Sequence, residues 1–306
     1  MDSLVQEIWS YPVNEIRRIL LDGEAVVAQR SGDSLRTADG RSVLIENAVH
    51  LPPCEPTKII AVHLNYDSRT QEFLTKLPAA PTYFHKPITA LNSHNGDVVR
   101  PKRCKWLNYE GEIVIVIGKT CKDISIADAH EYIAGYSIGN DFGLHDFRDT
   151  DAGSMLRVKG SDSLAPVGPG LVTDWDFHNK YIRTYVNGVL KQDDNTNNME
   201  WDMHYLVADI ARTITLSPGD IIFSGTPANS RPVNIGDVVE VEVEGLGKLT
   251  NRIVEGHTIR EEVGAQPTES EEVISTALGG DWEFRGIRTP SKDLYPSTVK
   301  EINDHN

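Results

Sequence analysis

Tyr109-Glu110-Gly111-Glu112-Ile113-Val114-Ile115-Val116-Ile117-Gly118-Lys119 contains a wholly β-branched run closed by glycine, the pattern of a buried strand. Side chains alternate faces along a strand, so Glu110 and Glu112 leave the same face together. Two carboxylates leading into an apolar strand are costly when bare; they require a cation, a proton or solvent. Ala134 to Phe142 reads as a second strand and carries Asp141 near its end. Two glutamates and an aspartate with no Cys or His partner make a hard oxygen set, suited to Mg²⁺, Mn²⁺ or Ca²⁺ rather than zinc. The alternative is that the glutamates flank the strand in solvent and Asp141 caps a turn, since charged residues beside strands are common.

Outward from this stretch, the sequence reads as mostly strand. Lys58 to Tyr66 and Ile221 to Phe223 form apolar runs, and Val238 to Glu244 alternates as a strand with one wet face. Asn187-Gly188 sits between two such runs and predicts a hairpin, as do Asp22-Gly23 and Asp39-Gly40. Asn14 to Leu21 reads as a short helix or a strand. Ser125-Ile126-Ala127-Asp128 reads as a capping box opening a short helix through about Tyr132. Met203, Leu206, Val207, Ile210, Ala211 and Ile214 fall at helical spacing, predicting an amphipathic helix over about 201–214. Leu51 to Pro56 is a stiff connector, and Gln266 to Glu272 reads as a flexible link. The aromatic mass of Asp281 to Arg285 suits docking on a surface, either the core or a partner subunit.

The chain of 306 residues is long enough for a full core. Its net charge of −15 argues against a nucleic-acid partner. An anionic small substrate stays open, because a local cation governs its own site. No run of about eighteen apolar residues predicts a membrane span, and Met1 to Glu7 lacks the basic-then-apolar pattern of a signal peptide. Cys54, Cys104 and Cys121 show no C-x-x-C spacing and read as reduced thiols of a cytoplasmic protein.

Five segments occur in a telling order: the Tyr109-Glu110-Gly111-Glu112 stretch; Gly135-Tyr136; Asn140-Asp141; Lys159-Gly160-Ser161-Asp162; and Gly219-Asp220-Ile221-Ile222-Phe223-Ser224-Gly225-Thr226-Pro227. Together they resemble the fumarylacetoacetate hydrolase family from about Lys58 to about Gly256. The branch resembled includes isomerases and decarboxylases of unsaturated 2-oxo diacids, and acylpyruvate hydrolases. The resemblance implies an α+β fold whose mostly β core is rolled or barrel-like, with a small N-terminal subdomain (1–55), a metal-dependent catalytic domain (56–257) and a C-terminal extension (258–306). It also implies a homodimer.

The resemblance implies roles as well. Glu110, Glu112 and Asp141 would hold Mg²⁺, or Mn²⁺ or Ca²⁺, and Lys159 would be the active-site lysine that balances their charge. Asn65, Tyr66 and Glu72 match a mobile lid that activates water in the family, but Arg69 stands where the family has histidine. An arginine keeps its proton in a protein. Arg69 therefore either binds a substrate carboxylate or pairs with Glu72 or Asp67 at the surface. His63 and His145 are the candidate bases. His145 and Arg148 replace an arginine and a glutamine of the family, which alters the substrate contacts. Thr226 of Gly-Thr-Pro would hold the substrate carboxylate. Lys86, in a segment resembling the family's Phe-x-Lys-Pro, either faces the ligand or packs.

The expected substrate is a small 2-oxo-carboxylate or β-dicarbonyl acid reacting through an enolate. The missing lid histidine weakens hydrolysis most, so isomerisation or decarboxylation is favoured. C–C bond hydrolysis is the alternative, and a non-catalytic ligand-binding relative is a second.

Overall fold

A computed structural model describes residues 15–279. The docking segment expected at Asp281 to Arg285 lies outside the described residues. The molecule is mostly β, and the sheets explain where the carboxylates sit. The larger, twelve-stranded sheet follows an open path from Ser42–Leu44 at one end to Tyr83–Lys86 at the other. It does not close into a barrel. Its centre places Gly111–Ile117 between Ile133–Asn140 and Ile221–Phe223, antiparallel to both. The second sheet has five strands, among them Tyr181–Val186, Val238–Val243 and Gly247–Thr258.

Every residue of Gly111–Ile117 is buried because both of its faces are covered. Val114 and Val116 point into one apolar cluster with Ile59, Phe84 and Leu144. Ile113, Ile115 and Ile117 point into another with Met203, Leu206 and Val241. A fully β-branched run is the composition such a two-sided position selects. Gly111 has a separate reason. A Cβ there would stand 2.3 Å from Thr184 Oγ1 and 3.0 Å from Val241 Cγ1, so the second sheet closes on a position that has no room for a side chain.

Asn14 to Leu21, open between helix and strand, holds the strand Glu15–Leu21. That strand pairs with Ala165–Val172, so the N-terminal hairpins continue the large sheet. The helix expected over 201–214 is Met203–Thr213, capped by Asp202 accepting from Tyr205 N at 2.8 Å. At Ser125 the structure departs from expectation. The Ser125 Oγ–Asp128 Oδ2 bond is made at 2.7 Å, but only the 3₁₀ turn Ala129–Tyr132 follows, because Ile133 already enters the strand.

The link expected at Gln266 to Glu272 is tied down. Thr268 and Ser270 donate to Asp149 at 2.8 and 2.7 Å. The helix Glu271–Leu278 then buries Val273, Ala277 and Leu278. Among the described residues no helix is long and apolar enough to cross a membrane.

His50 and His94 pack edge to face in the buried seam behind the strand Glu15–Leu21, ring centroids 4.8 Å apart. Burial, reinforced by Arg17, pushes His50 down to about 4. Burial, reinforced by His50 and Arg17, pushes His94 down to about 3. His94 Nδ1 accepts from Thr250 N at 3.1 Å and so has no proton to spare. Both folded-state values lie below the ordinary 6.5, so the unfolded chain binds more protons as pH falls. Their contribution is complete above pH 6.5 and is lost progressively as pH falls from there towards about 4 and below. Each costs at most about 1.4 kcal/mol per pH unit. Urea midpoints at pH 7 and pH 5 should show this loss, and His94→Asn should flatten the slope; an unchanged slope would sink the assignment. Gly111→Ala should cost about 1–3 kcal/mol, read from the same curves.

A buried carboxylate cluster and its cations

Strand register builds the site. Gly111 stands opposite Asn140 and Glu112 opposite Gly139. Asp141 N donates to Glu110 O at 2.8 Å, and Glu110 N donates to Asn140 Oδ1 at 2.8 Å. This crossed pair sets Asp141 beside the glutamates. One ligating oxygen from each of Glu110, Glu112 and Asp141 lies within 4.8 Å of the others, and all three residues are buried.

Glu112 Oε2 accepts from Gly225 N at 2.7 Å, in the loop that follows the strand Ile221–Phe223. Gly225 adopts φ +99°, and a Cβ there would meet Asn65 Cβ at 2.7 Å, so glycine is required twice over. Asn65 fastens this corner. It donates to Trp201 O and Ser224 O at 3.0 and 2.7 Å, and accepts from Trp201 N at 2.9 Å.

Cations surround the acids. Lys159 Nζ lies 2.6 Å from Glu110 Oε2 and 2.9 Å from Asp141 Oδ2. Its short helix, Leu156–Gly160, is held by Asp151, which accepts from Val158 N at 2.9 Å. Lys86, fully buried, donates to Asp141 Oδ1 and to Leu164 O. Arg69, on the helix Asp67–Glu72, donates from Nη1 to Glu72 Oε2 at 2.6 Å and from Nη2 to Glu110 Oε1 at 3.3 Å. Arg69 is therefore not a surface arginine. It is buried, with its guanidinium 4.5 Å from the centre of the Phe73 ring. Arg231 and the Asn229 amide also donate to Glu72.

Burial opposes the charges on Asp141, Lys159, Lys86 and Glu112, and neighbours decide the outcome. Burial alone would raise Asp141, but Lys159 and Lys86 outweigh it and hold the carboxyl below its usual range. Burial would likewise lower Lys159, yet Asp141 and Glu110 keep its pKa above the ordinary lysine value. Lys86 comes down because burial exceeds the pull of Asp141. Glu112 has no cation at contact distance among the described residues. Burial, then Asp141 and Glu110, raise it well above the ordinary value. Like charges crowded without a counterion respond in this way, and a divalent cation relieves them. The hard oxygen donors, their spacing and the strain on Glu112 all fit Mg²⁺ or Mn²⁺.

A cleft opens over the cluster. Glu110, Asp141 and Lys159 form its floor, and His63, Arg69, His145, Arg148 and Thr226 stand in its walls with Phe73, Phe84 and Met155. The cleft thus brings together eight of the side chains expected from the sequence. Glu112, Lys86 and Glu72 do not line it: Lys86 bonds Asp141 of the floor, Glu72 bonds Arg69 of the wall, and Glu112 bonds Gly225, next to Thr226. Tyr66 is fully buried in an apolar cluster and does not line it.

Both candidate bases are kept neutral. Burial, then Lys159, lowers His63 to about 4. Burial, then Arg148 and Lys159, lowers His145 well below its ordinary value. Neither ring nitrogen of His145 has a hydrogen-bond partner among the described residues. Thr75 and Thr276 also line the cleft and were not expected. Thr276 belongs to the helix Glu271–Leu278, a segment whose sequence shows no chemistry-bearing pattern.

Residues 58–254 match the family described as fumarylacetoacetate (FAA) hydrolase C-terminal. An uncharacterized protein of Methanocaldococcus jannaschii is 42% identical over 209 residues, covering 68% of this chain and 88% of that protein. The 4-hydroxyphenylacetate degradation bifunctional isomerase/decarboxylase of Escherichia coli is 37% identical over 225 residues, covering 72% of this chain and 52% of that protein. Among solved structures, 5-carboxymethyl-2-hydroxymuconate delta-isomerase from Mycobacterium smegmatis superposes with a TM-score of 0.73 at 36% identity, over 79% of this chain and 99% of that one.

Removing Arg69 takes one of two cations from each of two buried carboxylates, leaving Glu72 with Arg231 and Glu110 with Lys159. Arg69→Met should destabilise the metal-free protein by about 3–5 kcal/mol, and adding Glu72→Gln should restore part of that loss. A change below about 1 kcal/mol in urea unfolding, as an exposed pair would give, would contradict this account.

Proposed function

The chain belongs to the fumarylacetoacetate hydrolase family of enzymes, and we propose that it isomerises or decarboxylates a small 2-oxo-carboxylate or β-dicarbonyl acid with Mg²⁺ or Mn²⁺ held by Glu110, Glu112 and Asp141. The observation that carries this reading is the buried clustering of those three carboxylates, two of which, Glu110 and Asp141, form the floor of a cleft lined by cations. When bound there, the cation supplies Lewis-acid polarisation of a chelated carbonyl.

The chain's own groups supply the rest. Lys159, kept protonated by Asp141 and Glu110, donates a hydrogen bond to the oxygen on which enolate charge develops. The depressed pKa of His145 keeps it in the proton-accepting form at neutral pH. Its unpartnered nitrogens suit it to take a proton from substrate carbon or return one. His63, also neutral, is the second candidate for that transfer. Arg148 and Thr226 face the cleft as carboxylate donors. Arg69 can join them by exchanging Glu110 for the substrate, since its fork now spans Glu72 and Glu110.

Isomerisation or decarboxylation is favoured because of Glu72. Hydrolysis is expected to draw on Glu72 to activate water. Glu72 is held ionised by Arg69 and Arg231 against the effect of burial, and its oxygens already accept from Arg69, Arg231 and Asn229 N. The relatives named as isomerase/decarboxylase and isomerase support the same choice. A cytoplasmic homodimer with neither nucleic acid nor membrane as partner completes the proposal, consistent with three free buried thiols and an acidic chain.

Two measurements test this. Melting with Mn²⁺ or Mg²⁺ should exceed melting in EDTA, by about 2.7 kcal/mol of stabilisation at a hundredfold excess over Kd. Glu112→Gln together with Asp141→Asn should abolish the difference; an equal response in that variant would refute the metal assignment. Metal-loaded protein should turn over unsaturated 2-oxo diacids. Cleavage of acylpyruvates well above background would assign hydrolysis instead, and inertness towards both with metal bound would mark a non-catalytic relative.

A further inference from the structure

Unsatisfied buried polar groups are rare in folded proteins and mark places where something else binds. Among the described residues, His145 Nδ1 and Nε2, Arg148 Nε, Thr75 Oγ1 and Thr276 Oγ1 have no hydrogen-bond partner. All four residues line the one cleft over the carboxylate cluster. Thr276 is 6% exposed and His145 2%, so bulk water does not satisfy them.

Thr276 is the informative member, because the helix Glu271–Leu278 lies beyond the segment 58–254 that matches the family. The helix is fixed to the site at three points. Asn108 Nδ2 donates to Ala277 O at 2.8 Å. Ser270 Oγ caps its first turn by accepting from Val273 N at 3.2 Å, while donating to Asp149. Glu272 Oε1 stands 3.4 Å from Arg148 Nε. At its end, Gly279 passes so close to Glu72 that a Cβ would meet Glu72 Oε1 at 2.3 Å. A helix held this firmly presents its hydroxyl at a set position.

We propose that the C-terminal helix supplies a specificity subsite, in which Thr276 and Arg148 receive a carboxylate at the far end of the substrate from the chelated 2-oxo acid. This rests on the function proposed above. The guanidinium provides the charge and the hydroxyl a directional donor. A neutral His145 beside them adds one N–H without bringing a competing negative charge. An apolar tail would leave the Thr276 hydroxyl unpaired and Arg148 with only Glu272 and Met155, so the subsite selects against it as well as for the diacid.

The test uses full-length, Mn²⁺-loaded protein and three probes: oxalate, 2-oxoadipate, and 2-oxohexanoate, which matches 2-oxoadipate in length but lacks the distal carboxylate. Affinities are read by titration calorimetry. Wild type should prefer 2-oxoadipate over 2-oxohexanoate. Thr276→Val keeps the volume and removes the hydroxyl. It should narrow that preference by about tenfold, leave oxalate affinity unchanged and hold or raise the melting temperature, because it deletes an unpaired buried group. Thr276→Ser should restore the preference, and Arg148→Gln should narrow it further.

A preference unaltered in Thr276→Val, or an equal loss for all three probes, overturns the subsite. Failure of wild type to bind oxalate in the presence of Mn²⁺ overturns the chelation reading, and the subsite with it.

Discussion

Three buried carboxylates have to be neutralised, and the architecture of this protein follows from how that is done. Glu110, Glu112 and Asp141 meet because two adjacent strands pair in one register. A slip of one residue would send Glu110 and Glu112 to the opposite face, against Thr184 and Val241 where even the Cβ of residue 111 has no space. The cost of burying these charges is several kcal/mol per ion, and it is offset by cations drawn from remote parts of the chain. Lys86 arrives on the strand Tyr83–Lys86, Arg69 on the helix Asp67–Glu72, and Lys159 on the helix Leu156–Gly160.

The compensation is uneven, and the unevenness is useful. Asp141 is gripped by two ammonium groups and Glu110 by Lys159 and Arg69, whereas among the described residues Glu112 receives only a backbone N–H from Gly225. A fully balanced cluster would be an inert structural knot. The uncompensated charge at Glu112 is what a bound cation would relieve in the function proposed above, and the loop carrying Gly225 and Thr226 joins it to the wall where an acid substrate would lie. Preorganised charges of this kind do not have to reorient during reaction, which is the main physical source of catalytic advantage in a buried polar site.

Much of the frame was legible in the sequence. The run from Ile113 to Ile117 announces a strand covered on both faces, and Asn187-Gly188 announces its hairpin, since these depend on local composition. The carboxylate set and the lysine were picked out by their places in an ordered series of motifs that resembles a family, since the spacing of the glutamates alone left a solvent-exposed alternative open. Other features were hidden because their causes are non-local. That Arg69 is buried rather than solvated depends on Phe73 and Glu110 meeting it in space. The segment around Gln266 looks like a flexible link, and only the acceptors on Asp149 turn it into an anchor.

By itself, then, the sequence determined a mostly β chain, three acids of a chemistry that could hold a hard cation, and an arginine rather than a histidine three residues before Glu72. Those properties reside in side-chain chemistry and short-range order. Tertiary structure decided which groups share a dielectric. It placed Lys86 against Asp141 rather than in the lining of the cleft, kept His63 and His145 neutral through burial and nearby cations, and brought Thr276 to the site across more than a hundred residues of chain. Charge state and reach depend on burial and on contacts between distant segments, and no stretch of sequence read alone contains either.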